Sequence, residues 1–263
     1  MVDELAASPT HPLLGPVGTD YHRQAEDCNS AGGSGTGIRE STGLLTNVRR
    51  LGFTMILLTL AASSAYARHH HANSEAQAGQ FDYYLLSLSW APTYCLTHAD
   101  DGAECAGKGY GFIVHGLWPQ FEAGGYPESC PTQFELSAAA AAKGRSLYPS
   151  EHLMQHEWQE HGTCSGIDAR TYFEMVDRAT SAVKIPAVLQ APQTDHSLTA
   201  AQIADLFHSA NPRIPDHALT VACSRRSLSE VRVCLTKELS VRSCGNGVRT
   251  TCPPAAIRVP ASR

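Results

Sequence analysis

The sequence predicts an α+β fold in one medium-sized domain. Segments with the alternation of strands and segments with the spacing of amphipathic helices follow each other without the regular order of a parallel α/β sheet. The chain has 263 residues, 43% of them hydrophobic, which is enough for one substantial core. Of its nine cysteines, all but Cys28 follow residue 90 and form an even set, as a disulfide framework requires.

The N-terminal segments predict an exported protein. Residues 1–46 are rich in Gly, Ser, Thr and Pro without a hydrophobic period, so we expect a disordered leader, for which a start codon assigned too early is the simplest explanation. Residues 47–67 start with Asn-Val-Arg-Arg, continue with an apolar run and end in Ala-Tyr-Ala, the pattern of a secretory signal peptide. A buried helix or an uncleaved membrane anchor is the alternative. Residues 68–80 predict a flexible mature N-terminus, followed by a catalytic domain over 81–263.

Two strands are expected first. Residues 81–90 are aromatic and aliphatic with partial alternation, and Pro92 follows them, so they predict a strand that ends there. Residues 110–115 form a short apolar run that predicts a second strand. His115 is its last residue, and Gly116 after it predicts a turn.

Three helices follow. Residues 148–158 fit a helix whose inward face would include Trp158, which we assign to the core. Asp168 predicts the N-cap of a helix over 169–183, and Thr199 opens a capping box before a third helix, 200–209. The apolar stripes of the last two predict core packing.

Two further strands complete the predicted sheet. Residues 218–223 and 228–239 alternate well enough for strands. In the second, Val233 would face one side, with Arg232 and Cys234 on the other. No internal repeat interrupts this order, so a single domain is expected.

The charge excludes a protein that holds nucleic acid on a wide basic face. There are 20 Lys and Arg against 25 Asp and Glu, a net charge of −5 at neutral pH. Contact with a polyanion must therefore be local. The 13 histidines would add positive charge below about pH 6.5, so acid conditions would favour an anionic substrate.

Two segments concentrate the chemistry. Residues 156–164 read His-Glu-Trp-Gln-Glu-His-Gly-Thr-Cys, and residues 112–119 read Phe-Ile-Val-His-Gly-Leu-Trp-Pro. The two histidines of the first segment are five apart, whereas zinc proteases need four, so a zinc hydrolase is disfavoured. The chain has no Gly-x-Ser-x-Gly elbow, and its later cysteines suit disulfides. Histidines acting as acid and base suit metal-free cleavage of RNA, whose 2′-OH supplies the nucleophile that DNA lacks.

The same two segments resemble the active-site segments of the ribonuclease T2 family. The resemblance implies an α+β domain in which helices flank a central antiparallel sheet. It also implies export to the periplasm or the medium, and endonucleolytic cleavage through 2′,3′-cyclic phosphates to 3′-phosphates without metal or cofactor. RNA would be the partner, DNA and membranes would not, and we expect a monomer.

The resemblance also implies a role for each residue of the site. His161 would be the general base and His115 the general acid, with the roles exchanged when the cyclic phosphate is hydrolysed. Glu157 would support the transition state and His156 would bind phosphate. Trp118 would stack on a base, with core packing beside the site as its alternative.

The family pattern further implies how the cysteines pair, although the sequence alone permits 105 pairings. The expected bonds are Cys95–Cys105, Cys130–Cys164, Cys223–Cys252 and Cys234–Cys244.

Glu160 departs from the family, which usually has lysine there. A carboxylate would oppose phosphorane charge unless it were protonated or turned away, and we hypothesise that it pairs with His156, four residues back on a helix. The alternative function is therefore a catalytically weak, RNA-binding member of the family. A metal-binding protein would depend on histidines 69–71 alone.

Overall fold

The computed structural model describes residues 77–262, in which a six-stranded sheet is the central layer. The strands are β1 (Tyr83–Trp90), β2 (Phe112–Gln120), β3 (His196–Leu198), β4 (Leu219–Ser224), β5 (Ser227–Leu235) and β6 (Ile257–Val259). The helices are α1 (Ala91–Tyr94), α2 (Ala138–Arg145), α3 (Glu151–Glu160), α4 (Ala169–Ser181) and α5 (Ala200–Ala210), with short 3₁₀ helices at Gly162–Ser165, Ala187–Leu189 and Asp216–Ala218. The prediction of an α+β fold is confirmed.

Strand β1 lies inside the sheet and is buried along its whole length. It pairs antiparallel with β2 on one side and with β5 on the other, β4 pairs with β5, and β3 pairs with β6. The central sheet is antiparallel as predicted, except for one parallel bridge between β5 and β6. Leu86 of β1 packs in the main core with the helices, whereas Leu85 packs in a small cluster on the opposite face. Both faces of β1 are therefore covered, which explains its weak polar alternation.

Two helices start at the predicted side-chain caps, whereas α3, predicted over 148–158, spans Glu151–Glu160 and starts after a cap at Ser150 that was not predicted. Ser150 accepts a hydrogen bond from the Leu153 N–H at the start of α3, and Asp168 caps α4 in the same way. Thr199 and Gln202 form the predicted capping box of α5. Each cap satisfies N–H groups that the helix itself leaves without acceptors.

Two predicted strands have other bounds in the structure, and three elements were not predicted. Strand β2 does not turn at Gly116 but continues to Gln120. Strand β5 ends at Leu235 rather than at residue 239, because the chain turns there. Helix α2 and the short strands β3 and β6 were not predicted, since an alanine run has no hydrophobic period and three residues show too little alternation.

Several residues predicted to be structural are in the core. Trp158 is 3% exposed, and its ring centroid lies 5.8 Å from that of Tyr172 and 6.3 Å from that of Phe173. On β5, Val233 packs in the main core, and Cys234 packs in the cluster on the opposite face. The predicted faces of β5 are thus confirmed.

All four predicted disulfides are present, with Cα–Cα distances from 4.9 to 5.4 Å. They join Cys95 to Cys105, Cys130 to Cys164, Cys223 to Cys252 and Cys234 to Cys244. The second fastens the loop after β2 to the 3₁₀ helix that follows α3.

The predicted leader (1–46), the signal peptide (47–67) and most of the predicted flexible segment (68–80) lie outside the described residues. The described end of that segment is hydrogen-bonded, because the Gly79 N–H donates to the Cys164 carbonyl at 2.9 Å. Between residues 77 and 262, no helix is long and apolar enough to cross a membrane.

Candidate active site

Strand β2 and helix α3 bring the two chemistry-bearing segments into contact. The Trp118 indole N–H of β2 donates to Oε2 of Glu157 on α3 at 2.7 Å, and His115 Nε2 lies 3.7 Å from Oε1 of the same carboxyl. Gly116 makes this approach possible, because a Cβ there would overlap both Glu157 Oε2 and Trp118 Nε1. The glycine predicted to make a turn therefore serves close packing inside a strand.

His115 is held from the side opposite Glu157 by a second carboxylate. Its Nδ1 lies 2.7 Å from Glu230 Oε1, and since an ionised carboxylate only accepts, Nδ1 donates the hydrogen bond. Burial alone lowers the pKa of His115. The hydrogen bond and charge of Glu230, with the nearby Glu157, outweigh this effect and raise the pKa above its ordinary value. The imidazole is therefore biased toward its protonated form.

Glu230 and Arg232 were not identified as site residues from the sequence. The guanidinium of Arg232 contacts Glu230 Oε2 through Nε and Nη2, and its carbon lies 5.9 Å from the centroid of the Trp118 ring. Burial of Glu230 opposes its ionisation, but the charges of Arg232 and His115 hold its pKa well below its usual range. The available signal was two charged residues two positions apart on a strand whose other residues, except Ser227 and Ser229, are apolar.

Glu157 is fully buried, with 0% of its surface exposed. Burial raises its pKa to about 7, although the charge of His115 and the hydrogen bond from Trp118 both act in the opposite direction. A carboxyl group with this pKa is substantially protonated in mild acid, where it can donate a hydrogen bond as well as accept one.

His161 closes the site from the end of α3. It is the C-cap residue, its N–H donates to the Glu157 carbonyl at 3.2 Å, and it is 1% exposed. The Trp118 ring contacts both histidines, with its centroid 5.0 Å from His115 and 5.1 Å from His161. Tyr126, which was not identified from the sequence, lies at 6.1 Å from His161 on the loop after β2.

His156 and Glu160 occupy the margin of this group. The His156 ring lies 6.5 Å from His161, so the residue predicted to bind phosphate is next to the predicted base. The Glu160 carboxylate accepts a hydrogen bond from Ser129 Oγ, and the Ser129 N–H donates to the Glu160 carbonyl at 2.8 Å. Glu160 is thus anchored to the loop that contains Cys130, and its pairing with His156 stays a prediction.

A small cavity of about 130 Å³ borders His115 on the side of β5. Glu230, Arg232 and the side chains of Tyr94 and His98 also line it, and the last two rings stack with centroids 4.1 Å apart. Within residues 77–262, no group of three or more His, Cys, Asp or Glu side chains is arranged to hold a metal ion.

The chain is similar in sequence to bacterial ribonucleases. A ribonuclease from Aeromonas hydrophila is 42% identical over 102 residues, which cover 39% of this chain and 46% of that protein. A probable ribonuclease from Haemophilus influenzae is 27% identical over 192 residues, covering 67% of this chain and 65% of that protein. The chain therefore matches about half to two thirds of the length of these relatives.

Solved structures show the same fold. An RNase-related protein from Calystegia sepium matches with a TM-score of 0.55 and 21% identity, covering 70% of this chain and 98% of its own. A variant of RNase MC1 in complex with 5′-UMP matches with a TM-score of 0.54 and 21% identity, covering 68% of this chain and 97% of its own. The model of the Ribonuclease T2 family matches residues 81–244, more than half of the sequence. The chain belongs to the ribonuclease T2 family.

Proposed function

We propose that the chain is an endoribonuclease that cleaves RNA by transphosphorylation to a 2′,3′-cyclic phosphate and then hydrolyses this product to a 3′-phosphate, without a metal ion. One observation carries the proposal: His115 and His161 both contact the Trp118 ring, and the buried Glu157 contacts His115. Membership of the family supports ribonuclease activity.

In the first step His161 removes the proton of the 2′-OH, and the 2′-oxygen attacks phosphorus. The bond to the 5′-oxygen breaks, and His115 supplies the proton that this leaving group needs. The raised pKa of His115, caused by its two carboxylate neighbours against the effect of burial, keeps this acid protonated at mildly acid pH. In the second step His115 takes a proton from water, whose oxygen attacks phosphorus. The bond between phosphorus and the 2′-oxygen breaks, and His161 returns a proton to that oxygen.

Glu157 stabilises the pentacoordinate phosphorus. Because burial raises its pKa to about 7, in mild acid it can donate a hydrogen bond to a non-bridging oxygen without adding negative charge. A protonated His156 would bind a second phosphate oxygen.

Trp118 provides a surface on which a base can stack. Its indole N–H is bound to Glu157, so the ring plane is fixed beside both histidines. Stacking would contribute roughly 1–3 kcal/mol. The base preference of the enzyme would then depend on the groups around this ring.

A catalytically weak RNA-binding protein is the second candidate, and Glu160 is the observation that favours it. The side chain is bound to Ser129, on the loop fastened by Cys130. If Glu160→Lys leaves both the rate and the pH optimum unchanged, this position does not contact phosphate, and the second candidate loses its support.

The test is cleavage of yeast RNA, with single-stranded DNA as a parallel substrate, in EDTA from pH 4 to 8. We expect RNA cleavage with cyclic phosphate products, intact DNA, and losses of about 10²- to 10⁴-fold in His115→Ala and in His161→Ala. His152→Ala, an exposed histidine on α3, is the matched control and should keep full activity. Absence of cleavage of any RNA would reject the proposal.

We further propose that the enzyme acts as a monomer in the periplasm or the medium. Four disulfides suit an oxidising compartment. Fractionation of the producing cells, followed by gel filtration of the active fraction, tests both points. Activity confined to the cytoplasm would contradict the first, and elution at twice the mass would contradict the second.

A further inference from the structure

The position of His115 in the sheet is irregular. Ser87 of β1 pairs with Gly116 and Leu88 pairs with Val114, so His115 is the extra residue of a β-bulge. Bulges redirect a side chain relative to its strand and are frequent beside active sites. In this chain the bulge allows a side chain of β2 to reach Glu230 of β5, although β1 lies between these strands.

Strand β1 leaves room for that contact. Ser87 and Ser89 pair with Arg232 and Glu230, so the two charged residues of β5 stand beside the smallest polar side chains of β1. Both serines are buried, at 0% and 6% exposure, and a large side chain in either position would fill the space between His115 and β5. The two small serines of β1 thus leave the space in which His115 of β2 contacts Glu230 of β5.

We propose that Glu230, kept ionised by Arg232, is a positioning residue that fixes the tautomer of His115 and keeps it protonated, so that this pair on β5 sets the upper pH limit of RNA cleavage. The proposal rests on the role of His115 as general acid in the proposed function. It assigns to Glu230 and Arg232 a role that is exerted through His115, which Glu230 contacts directly.

The tautomer follows from the direction of the hydrogen bond. An ionised Glu230 can only accept, so Nδ1 of His115 carries a proton in every protonation state of the ring. The proton that is gained and lost is therefore the one on Nε2, the nitrogen on the side of Glu157. A neutral acceptor–donor group in place of Glu230 would allow the opposite tautomer as well.

Arg232 is needed because Glu230 is 6% exposed. A buried carboxylate without a cation would take up a proton and could then donate to Nδ1 instead of accepting from it. The guanidinium contacts Glu230 Oε2 while His115 contacts Oε1, so the carboxylate has a different partner on each oxygen. Arg232 also lowers the pKa of His115 directly, but the carboxylate effect is larger and the net shift is upward.

The charged and titratable groups that face His115 come from several elements. They are Glu230 and Arg232 on β5, Glu157 on α3, Glu104 in the loop closed by Cys95 and Cys105, His98 in the shared cavity, and His161 beyond the Trp118 ring. Glu157 and Glu104 both have a pKa raised to about 7, mainly by burial, so both lose negative charge in mild acid. Glu230 is the carboxylate that stays ionised across the working range.

The test compares pH profiles of kcat/KM for the wild type, Glu230→Gln and Arg232→Gln with the titration of the His115 ring by NMR. Removing the carboxylate charge should move the alkaline limb of the profile, and the NMR midpoint of His115, down by about 1–3 pH units. Glu230→Gln should also allow both tautomers of the neutral His115 ring, which the chemical shifts of the two ring nitrogens report. Arg232→Gln should move both in the same direction, because the buried Glu230 then takes up a proton, and the loss of its charge beside His115 outweighs the loss of the arginine charge. Arg232→Lys should restore most of the shift.

Glu122→Gln is the matched control, because Glu122 also forms an ion pair with an arginine, Arg242, but at an exposed position. It should leave both profiles unchanged. Should Glu230→Gln fail to fold, Arg232→Gln provides the same measurement at a less buried residue.

The NMR titration needs no turnover, so it separates this inference from the proposed function. Cleavage that continues with an unchanged alkaline limb, together with an unchanged His115 midpoint in both variants, would overturn the inference while the function stands. A shifted midpoint in a protein that cleaves no RNA would support the pairing and reject the function.

Discussion

At the scale of the residue, the site depends on a carboxyl group that the fold has removed from water. Glu157 is fully buried between a tryptophan N–H and His115, and its pKa is raised to about 7 by that burial. The pKa of this carboxyl group is higher in the folded protein than in the unfolded one. Its contribution to the free energy of unfolding is therefore complete below the unfolded-state pKa and is lost as the pH rises through the folded-state pKa. The catalytic role proposed for Glu157 would therefore cost stability at alkaline pH.

Glu157→Gln makes that cost measurable. The wild type should lose on the order of 1–3 kcal/mol of unfolding free energy between pH 5 and pH 8, and the variant should lose less, since its amide does not ionise. Urea unfolding at the two pH values gives the comparison. Glu104, which has a similar shift, is present in both proteins and cancels. Equal losses in the two proteins would show that Glu157 does not titrate in this range.

The site residues that could be predicted from the sequence are those that lie close together in it, in short segments rich in ionisable side chains. His115, Glu157 and His161 lie in two short segments that a core would not accommodate without a purpose. Glu230 lies 115 residues from its partner His115, on a strand where a charged residue at alternate positions is ordinary for a solvated face. Only the bulge and the pairing of β1 with β5 show that this face is buried against the site.

At the scale of the element, the end of α3 must be held against β2. The disulfide Cys130–Cys164 fastens the loop after β2 to the 3₁₀ helix after α3, and Ser129 adds hydrogen bonds to Glu160 next to it. This connection determines where His161 lies relative to Trp118. A disulfide in this position should therefore serve activity as well as stability.

Replacing both cysteines of Cys130–Cys164 with alanine tests that expectation. The variant should lose about 2–4 kcal/mol of unfolding free energy and most of its RNA cleavage. The matched control is the same change at Cys223–Cys252, whose sequence separation of 29 is close to the 34 of the first bond. Its stability loss should be similar, with cleavage retained. Equal activity in both variants would show that the bond near His161 is only structural.

The helices and strands that were predicted well are those indicated by residues within or next to the element itself. The caps at Asp168 and Thr199 indicated where two helices begin, because a side chain there satisfies specific N–H groups. The course of β2 was predicted wrongly, because Gly116 is typical of a turn, and its actual reason is the side chains of another element. Strands β3 and β6 exist through pairing with each other, which no short sequence window contains.

At the scale of the whole molecule, a net charge of −5 predicts that the proposed RNA substrate meets no broad field of positive charge. Binding should depend on a few contacts around the site, with His156 and the other histidines adding charge as pH falls. This differs from proteins that release many counterions on binding. The charge of the whole chain therefore predicts how binding responds to salt.

The salt dependence of binding checks this. With a 2′-O-methyl RNA oligonucleotide, which cannot be cleaved because its 2′-oxygen carries no proton, the slope of log K against log salt should be about −0.7 per phosphate contact, hence shallow at pH 7 and steeper at pH 5. Fluorescence anisotropy between 50 and about 300 mM salt measures it. A steep slope at pH 7, equal to that at pH 5, would indicate a basic binding face that the chain's charge does not predict.

The central claim, that His115 is the acid and His161 the base, is tested most directly by changing the leaving group. A uridine 3′-(4-nitrophenyl phosphate) releases a phenolate that needs no proton, whereas a dinucleotide releases an alkoxide that does. We predict that His115→Ala loses about 10²- to 10⁴-fold on the dinucleotide but keeps most of its rate on the aryl ester, while His161→Ala loses activity on both. Equal losses for His115→Ala on the two substrates, or rescue of His161→Ala by the aryl ester, would contradict the account.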